Sequence, residues 1–446
     1  MAKSFVERAP KINPNDLDLQ SIKKYMHNYH QLDDKGRYLH WSELKKRLRQ
    51  NEEKAIWRCI KFKRQLSSTT INLLDNNGAA FSYSFHNQMH RQLNSVEIMA
   101  AGYRSNHIGN GDIDHELLFP SLVMEEAITS AQLEGAAVTR AKAKDMLEKN
   151  RKPIDQDEQM IVNNYRLLNY AKHVKDKNLT IELILEFHRL ATQETDENNV
   201  IPGEFRTDND IYVADPKGEI AYQPPCYGSI PSRMQSLCDF ANSDHINENS
   251  PFIPSIIKAI ILHFMVGYEH PFRDGNGRTA RALFYWFVLK SGYDLFEFAS
   301  ISKFLNTHAR DYGLSYLYTE KDENDLTYFI DFQLKAILAA FEELKHCLSY
   351  RATSLQDMSE LLQGSKYDSL NFIQVDILRK AMNKSGQTFT AKNICTVYGV
   401  SENTARTYLK QLADENLLYV VKKGKQSIYI SHVEIKNIIE GSKKKG

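Results

Sequence analysis

Apolar residues at Ile256, Ile257, Ile260, Ile261, Phe264 and Met265 recur at helical spacing and predict a helix over residues 255–269 with one buried face. Pro271 disfavours helical geometry for the residue before it, so this helix should end near His270 with the imidazole projecting from its end. Asp274, Gly275, Asn276 and Gly277 then form a tight turn whose two glycines tolerate positive φ and allow close backbone approach. A second helix is expected over about 278–290, stopped by Gly292. At about 100° per residue, Ala280, Leu283, Phe284 and Phe287 share one side and Arg278 and Arg281 the other, so the arginines are not expected to serve the core.

Upstream, residues 123–135 (VMEEAITSAQLEG) read as a helix ended by Gly135. Glu134 falls in its last turn, at the negative end of the dipole, and Ser130 and Val138 leave it without a cation four residues away. A cationic partner elsewhere in the chain would explain it. Between these two patterns, Gly203-Glu204-Phe205-Arg206 and the run 211–225 suggest a hairpin turning at Asp215-Pro216-Lys217-Gly218. Near the start, Tyr38-Leu39-His40-Trp41-Ser42 precedes a basic helix expected over 43–49.

After about residue 350 the pattern changes. Residues 354–369 are polar and read as a linker or short connecting helix. Helices over 372–382 and 391–397, the second capped by Thr390, lead to a turn at Gly399-Val400 and a third helix capped by Ser401. Strands at 417–421 and 427–430 flank Lys422-Lys423-Gly424-Lys425, completing the order of a winged helix-turn-helix with Asn403, Thr404, Arg406, Thr407 and Lys410 on exposed faces of its third helix. From residue 371 onwards 13 Lys and Arg stand against 6 Asp and Glu, a charge of +7; the whole chain is +1, so residues 1–370 carry −6. DNA binding, protein docking or dimerisation, and a spacer role all stay open for this basic module, because the fold alone does not choose.

Length and composition narrow the class. A chain of 446 residues suggests two or three domains, and 42% hydrophobic with 25% charged residues argues against disorder. No apolar run reaches the roughly 18 residues of a membrane span; the best, 255–268, is interrupted by Lys258 and His263. The segment MAKSFVERAPKIN has no apolar signal core, which makes a cytoplasmic location the default expectation. Cys59, Cys226, Cys238, Cys347 and Cys395 are odd in number and scattered without a CxxC pair, indicating neither a disulfide framework nor a zinc site. His86 and His90 have metal-compatible spacing but no third ligand or HExxH pattern, and read as surface or capping residues.

The candidate chemistry lies in HPFRDGNGRTAR. Two cations near a helix start cost about 0.3–1 kcal/mol apiece against the macrodipole, and an anion bound there reverses the sign through free N–H groups and both guanidinium forks. Phosphate fits. His270 supplies a base near neutral pKa for a hydroxyl attacking phosphorus, Asp274 a hard oxygen ligand for Mg²⁺, and Gly275, Asn276 and Gly277 a nest of N–H groups to which Asn276 can add its amide. Arg278 and Arg281 would neutralise charge on the outer phosphates.

His270, Phe272, Asp274, Gly275, Asn276, Gly277, Arg278 and Arg281 match every specified position of histidine-x-phenylalanine-x-acid-glycine-asparagine-glycine-arginine-x-x-arginine. That is the signature of the Fic family, which the chain resembles. The resemblance implies transfer of AMP from ATP to a Tyr, Thr or Ser hydroxyl of a target protein, with attack on the α-phosphorus and pyrophosphate as leaving group. Relatives transfer UMP or phosphocholine, and the unaltered motif favours AMP. Ser130-x-x-x-Glu134-Gly135 is similar to the family's inhibitory motif, whose glutamate pairs with the second motif arginine, here Arg281, and blocks seating of the γ-phosphate. Because it precedes the catalytic motif, the chain resembles the class with an N-terminally carried inhibitory helix. Self-modification and removal of AMP, with the same glutamate positioning water, are also implied. The hairpin before the catalytic helix resembles the flap that holds a target segment, with Tyr222 as a contact candidate and Tyr312 as a candidate on the adenine side.

The expected architecture is mainly α: an N-terminal helical region over 1–115, a Fic helical bundle with a β-hairpin flap over 116–348, a linker over 349–370, and a winged helix-turn-helix over 371–446. The expected partners are ATP, a hydroxyl-bearing protein and, through the basic module, DNA; a homo-oligomer stays open and no membrane is expected. The alternative is a DNA-binding transcription regulator that senses nucleotide with little catalysis. An intact His270 favours the enzyme, since a sensor needs the phosphate nest and not the base.

Overall fold

The computed structural model describes residues 6–12, 23–49, 51–109, 120–195, 199–214, 220–246, 251–384, 386–424 and 426–443. It is mostly helical with three small antiparallel sheets. The segment expected as a basic helix over 43–49 is one α-turn, Trp41–Leu44, followed by a 3-10 turn, Lys45–Arg47. Helix α1 (Glu53–Leu66) leads into the hairpin β1 (Ser68–Leu74) and β2 (Ala80–Ser84), then α2 (Asn87–Gly109). Lys61 on α1 pairs with Asp322 at 2.7 Å, the Arg64 guanidinium lies 3.6 Å from the centre of the Tyr38 ring, and Tyr38 donates to Asp325 at 2.7 Å. These buried contacts fasten the N-terminal region to residues 322–325, so it is continuous with the main body.

Helices α3 (Pro120–Leu133), α4 (Arg140–Glu148), α5 (Gln156–His173) and α6 (Ile181–Thr192) follow. Thr139, Asp155 and Thr180 cap the last three by accepting from a backbone N–H three residues on. The short hairpin β3 (Val213–Ala214) and β4 (Ile220–Tyr222) comes next; its expected turn, Asp215 to Gly218, lies outside the described residues. Then come α7 (Ile230–Asn242), α8 (Ser255–Glu269), α9 (Asn276–Lys290), α10 (Ile301–Thr307), α11 (Ala309–Lys321) and α12 (Thr327–Leu362).

Helix α9 is the axis of the largest core described. It packs against α8, α5 and α6, and its Leu283, Phe284, Trp286 and Val288 are fully buried. This corrects the two-sided reading of that helix. It begins at Asn276, two residues earlier than expected, and is enclosed all round, so Arg278 and Arg281 are each only 1% exposed. An amphipathic pattern assigns faces relative to one neighbour; here neighbours lie on every side.

Helix α12 crosses the expected boundary at residue 349. Its 36 residues run without a break through the expected linker as far as Leu362. Leu344 and Leu355 belong to the main core, whereas Met358, Leu362 and Tyr367 belong to a second one. That second core is completed by α13 (Phe372–Asn383), α14 (Ala391–Tyr398), α15 (Glu402–Asp414), α16 (Ile435–Gly441) and a sheet of β5 (Thr388–Phe389), β6 (Leu418–Lys423) and β7 (Gln426–Ser431) in the order β5-β7-β6. Asn371 and Gln374 form a capping box on α13; Thr390 caps α14, Gly399 ends it at φ 67°, and Ser401 caps α15. Among the described residues no helix is long and apolar enough to cross a membrane.

Candidate active site

His270 terminates α8 in the left-handed conformation, φ 46° and ψ 55°, and its N–H still closes on Val266 O at 3.0 Å. Arg206, itself buried, braces the residue from behind. Its Nε donates to His270 O at 2.9 Å, its backbone N–H to Pro271 O at 2.9 Å, and its Nη2 to Pro225 O. The imidazole Nδ1 faces Gly267 O at 3.4 Å. A carbonyl only accepts, so Nδ1 carries the proton and the Nε2 lone pair is left for chemistry. Burial first, and then the Arg206 charge, hold His270 below the usual histidine range, so the ring is a neutral base at neutral pH.

The loop after it is closed by its own side chains. Asn276 Nδ2 donates to Phe272 O at 2.9 Å and Phe272 N–H donates to Asn276 Oδ1 at 3.0 Å. The Asn276 amide thus holds the loop shut, and its residue opens the first turn of α9. Gly275 adopts φ 76° and lies flush on α6, where an added Cβ would come within 2.6 Å of Thr192 Cγ2. Asp274 Oδ1 accepts from Gly275 N–H and lies 3.5 Å from Arg278 Nη2, while the side chain stays 24% exposed and able to reach a cation. Arg278 donates to Ala191 O at 2.9 Å, so it also ties α9 to α6. Phe272 is fully buried, and Phe272→Ala is expected to cost about 3–5 kcal/mol of unfolding free energy in a denaturant titration.

Arg281 is held by the segment before α4. Its Nη2 donates to Glu134 Oε1 at 2.8 Å and to Ser130 O at 3.1 Å, and its Nε to Ser130 Oγ at 2.8 Å. Glu134 thus has the distant cation that its place at the end of α3 required. A Cβ on Gly277 would sit 2.2 Å from Glu134 Oε1, so the carboxylate rests directly on the first turn of α9, where a helix binds anions. Glu134, His270, Gly277, Arg281, Tyr222 and Tyr312 line one cleft of about 750 Å³, together with Val213 and Ala221 of the β3–β4 hairpin. Tyr312 donates to or accepts from His263 Nε2 at 2.8 Å, and Tyr222 packs on Tyr268.

Several residues here escaped the sequence reading. Glu126, buried on α3, takes hydrogen bonds from Ser302 N at 3.1 Å and Ser300 Oγ at 2.9 Å, fastening α3 to the start of α10. Burial pushes its carboxyl up, with Arg281 opposing. Glu320 lines the cleft and is pushed up to about 8 by burial, so it adds little negative charge against a nucleotide at neutral pH. His86 caps α2 by accepting from Met89 N at 3.2 Å and faces Asp331 at 3.0 Å.

His188 and His263 are buried neutral, pulled to about 4 and about 3 mainly by burial. The unfolded chain protonates both near 6.5 while the folded protein refuses those protons, so stability rises with pH between the folded values and 6.5. Denaturant midpoints should hold steady above that value and decline as pH falls towards 4; a flat profile would contradict the neutral assignment.

A histidine, a turn carboxylate and a helix start lined by glycine and arginine thus stand together where α8 passes into α9. Residues 178–288 match the sequence profile of the Fic/DOC family. Among curated relatives, protein adenylyltransferase Fic of Drosophila erecta is 32% identical over 170 residues, covering 37% of this chain and 32% of that protein. The same-named protein of Drosophila melanogaster is 29% identical over 209 residues, covering 46% and 39%. The chain thus spans about a third of the length of these relatives. Among solved structures, a Fic family protein from Desulfovibrio desulfuricans aligns with a TM-score of 0.48 at 16% identity, over 78% of this chain and 97% of that one. Fic-1 from C. elegans aligns with a TM-score of 0.45 at 19% identity, over 60% and 73%.

Proposed function

We propose that this protein transfers AMP from ATP to a Tyr, Thr or Ser hydroxyl of a target protein, and that Glu134 holds it inhibited. The observation that carries the reading is the seat of the Glu134 carboxylate, on the first turn of α9 and on Arg281, in the cleft that also holds His270. An internal anion there occupies the place a terminal phosphate needs. With Glu134 withdrawn, the N–H groups of the Gly275–Gly277 turn and the Arg281 fork bind the outer phosphates. The hydroxyl oxygen attacks the α-phosphorus while His270 Nε2 takes its proton, the bond to the β-phosphate oxygen breaks, and pyrophosphate leaves. The Asp274 carboxylate, its side chain 24% exposed, is a hard oxygen donor that fits Mg²⁺, which when bound neutralises charge on the phosphates. The β3–β4 hairpin at the rim of the cleft offers strand-like pairing to the target segment.

The test is the position of the label. Incubated with the Glu134→Gly protein, ATP labelled at the α-phosphorus should mark protein and ATP labelled at the γ-phosphorus should not. Transfer of the γ-label would make the protein a kinase, and transfer of neither would favour a nucleotide sensor.

The sensor reading has its own supporting observation. The elements from α13 to β7 follow the order of a winged helix-turn-helix, and Arg406 and Lys410 on α15 with Lys422 and Lys423 on β6 are all exposed. Full-length protein should then hold duplex DNA at about 50 mM salt and release it by about 200 mM, and Arg406→Glu with Lys410→Glu should remove the binding. No retention at low salt would leave this module to protein docking or dimerisation.

A further inference from the structure

The Asp274 turn is held from outside the motif by His188, a fully buried histidine on α6. Its ring lies parallel to Phe272, 3.7 Å between centroids at an angle of 4°. Gly203 N–H donates to Nδ1 at 3.0 Å, and Nε2 meets Asp274 O at 3.0 Å. The two partners fix the tautomer without ambiguity: an N–H only donates and a carbonyl only accepts, so Nε2 bears the proton and donates to Asp274.

That bond has a geometric consequence. In a trans peptide the C=O and the following N–H point in opposite directions. Pinning Asp274 O towards α6 therefore turns Gly275 N–H away from α6, and the Asp274 carboxylate, which accepts from that same N–H, is carried with it. On the same helix, Thr192 faces Gly275 with a methyl group and Ala191 O accepts from Arg278.

We infer that His188 is a positioning residue for the transfer reaction: through Asp274 O it fixes the peptide whose N–H holds the Asp274 carboxylate, and so aims that carboxylate at the metal. It touches neither ATP nor the target. The inference rests on the adenylyltransferase reading for the identity of the ligand, and its test is built so that the two can fail separately.

Two conservative substitutions separate the two bonds. In His188→Gln the side-chain Nε2 reaches the place of the imidazole Nε2 and can still donate to Asp274 O. In His188→Asn the shorter amide reaches only the place of Nδ1 and can accept from Gly203. Both are made in the full chain carrying Glu134→Gly. Binding of a fluorescent ATP analogue is measured with and without Mg²⁺, beside thermal unfolding and transfer rate. Loss of a group that orients a metal ligand typically costs about 10–100-fold. His188→Asn should therefore weaken Mg²⁺-dependent nucleotide binding and lower kcat by that order, with metal-free binding within about twofold, while His188→Gln stays close to the parent. Two folded variants that fall alike, or a His188→Asn protein whose Mg²⁺ dependence matches the parent, would overturn the inference. If His188→Asn does not fold, His188→Gln decides alone: parental Mg²⁺ dependence supports the role and its loss refutes it. A parent that binds Mg²⁺ and nucleotide but transfers nothing would sink the adenylyltransferase reading and leave the binding comparison standing.

Discussion

Glu134→Gly should raise AMP transfer, to the protein itself or to a target, by about 10–100-fold. A charge-assisted hydrogen bond contributes about 1.5–3 kcal/mol, and 1.4 kcal/mol is tenfold in occupancy, so removing the internal competitor frees the phosphate seat by that factor. The competition is direct, because the carboxylate touches both Gly277 and Arg281. Arg281 keeps its two bonds to Ser130, which limits the loss of stability, and bound ATP should then raise Tm more in the variant than in the parent. Autoradiography with α-labelled ATP gives the first comparison and a melting series the second. Equal labelling of variant and parent would remove the inhibitory role.

His270→Ala in the same background should lower kcat by about 10²–10⁴-fold, the usual worth of a positioned base, with little change in nucleotide affinity. The ring stands at the end of α8 and the proposed phosphate seat on α9, which places the two proposed functions on different elements. In the parent, the acid limb of the kcat/KM profile should lie below the ordinary histidine value of 6.5, because burial and Arg206 outweigh Glu134 and Asp274. In Glu134→Gly one of the two opposing carboxylates is gone, so the limb should move further towards acid. Rate measurements from pH 5 to 8 would show it, and a limb above 6.5 would contradict the burial argument.

Much of this site was legible in the sequence because its parts are local. His270, the glycine turn and the arginines sit within twelve consecutive residues, and Glu134 betrayed itself by standing at the wrong end of a helix without a nearby cation. What was not legible is what three-dimensional packing adds. Arg278 and Arg281 looked like a polar face because periodicity cannot show that α9 is enclosed on all sides. His188, Arg206 and Glu126 act on residues 86, 64 and 176 positions away, and nothing in IELILEFHRLAT marks its histidine as more than one polar residue in an amphipathic run. The polar run after residue 354 read as a linker or short connecting helix because a helix shared by two cores exposes much of its surface.

That shared helix governs how the protein can be divided. A cut at residue 349 would bisect α12 and strip Leu355 from the main core, whereas a piece beginning at 371 would arrive without Met358, Leu362 and Tyr367, three apolar side chains its own interior was built around. Either truncation yields a damaged fragment whose failure to act would say nothing about the intact molecule. Dissection has to proceed by point substitution, or leave the second core its stretch of α12 from Met358 onwards.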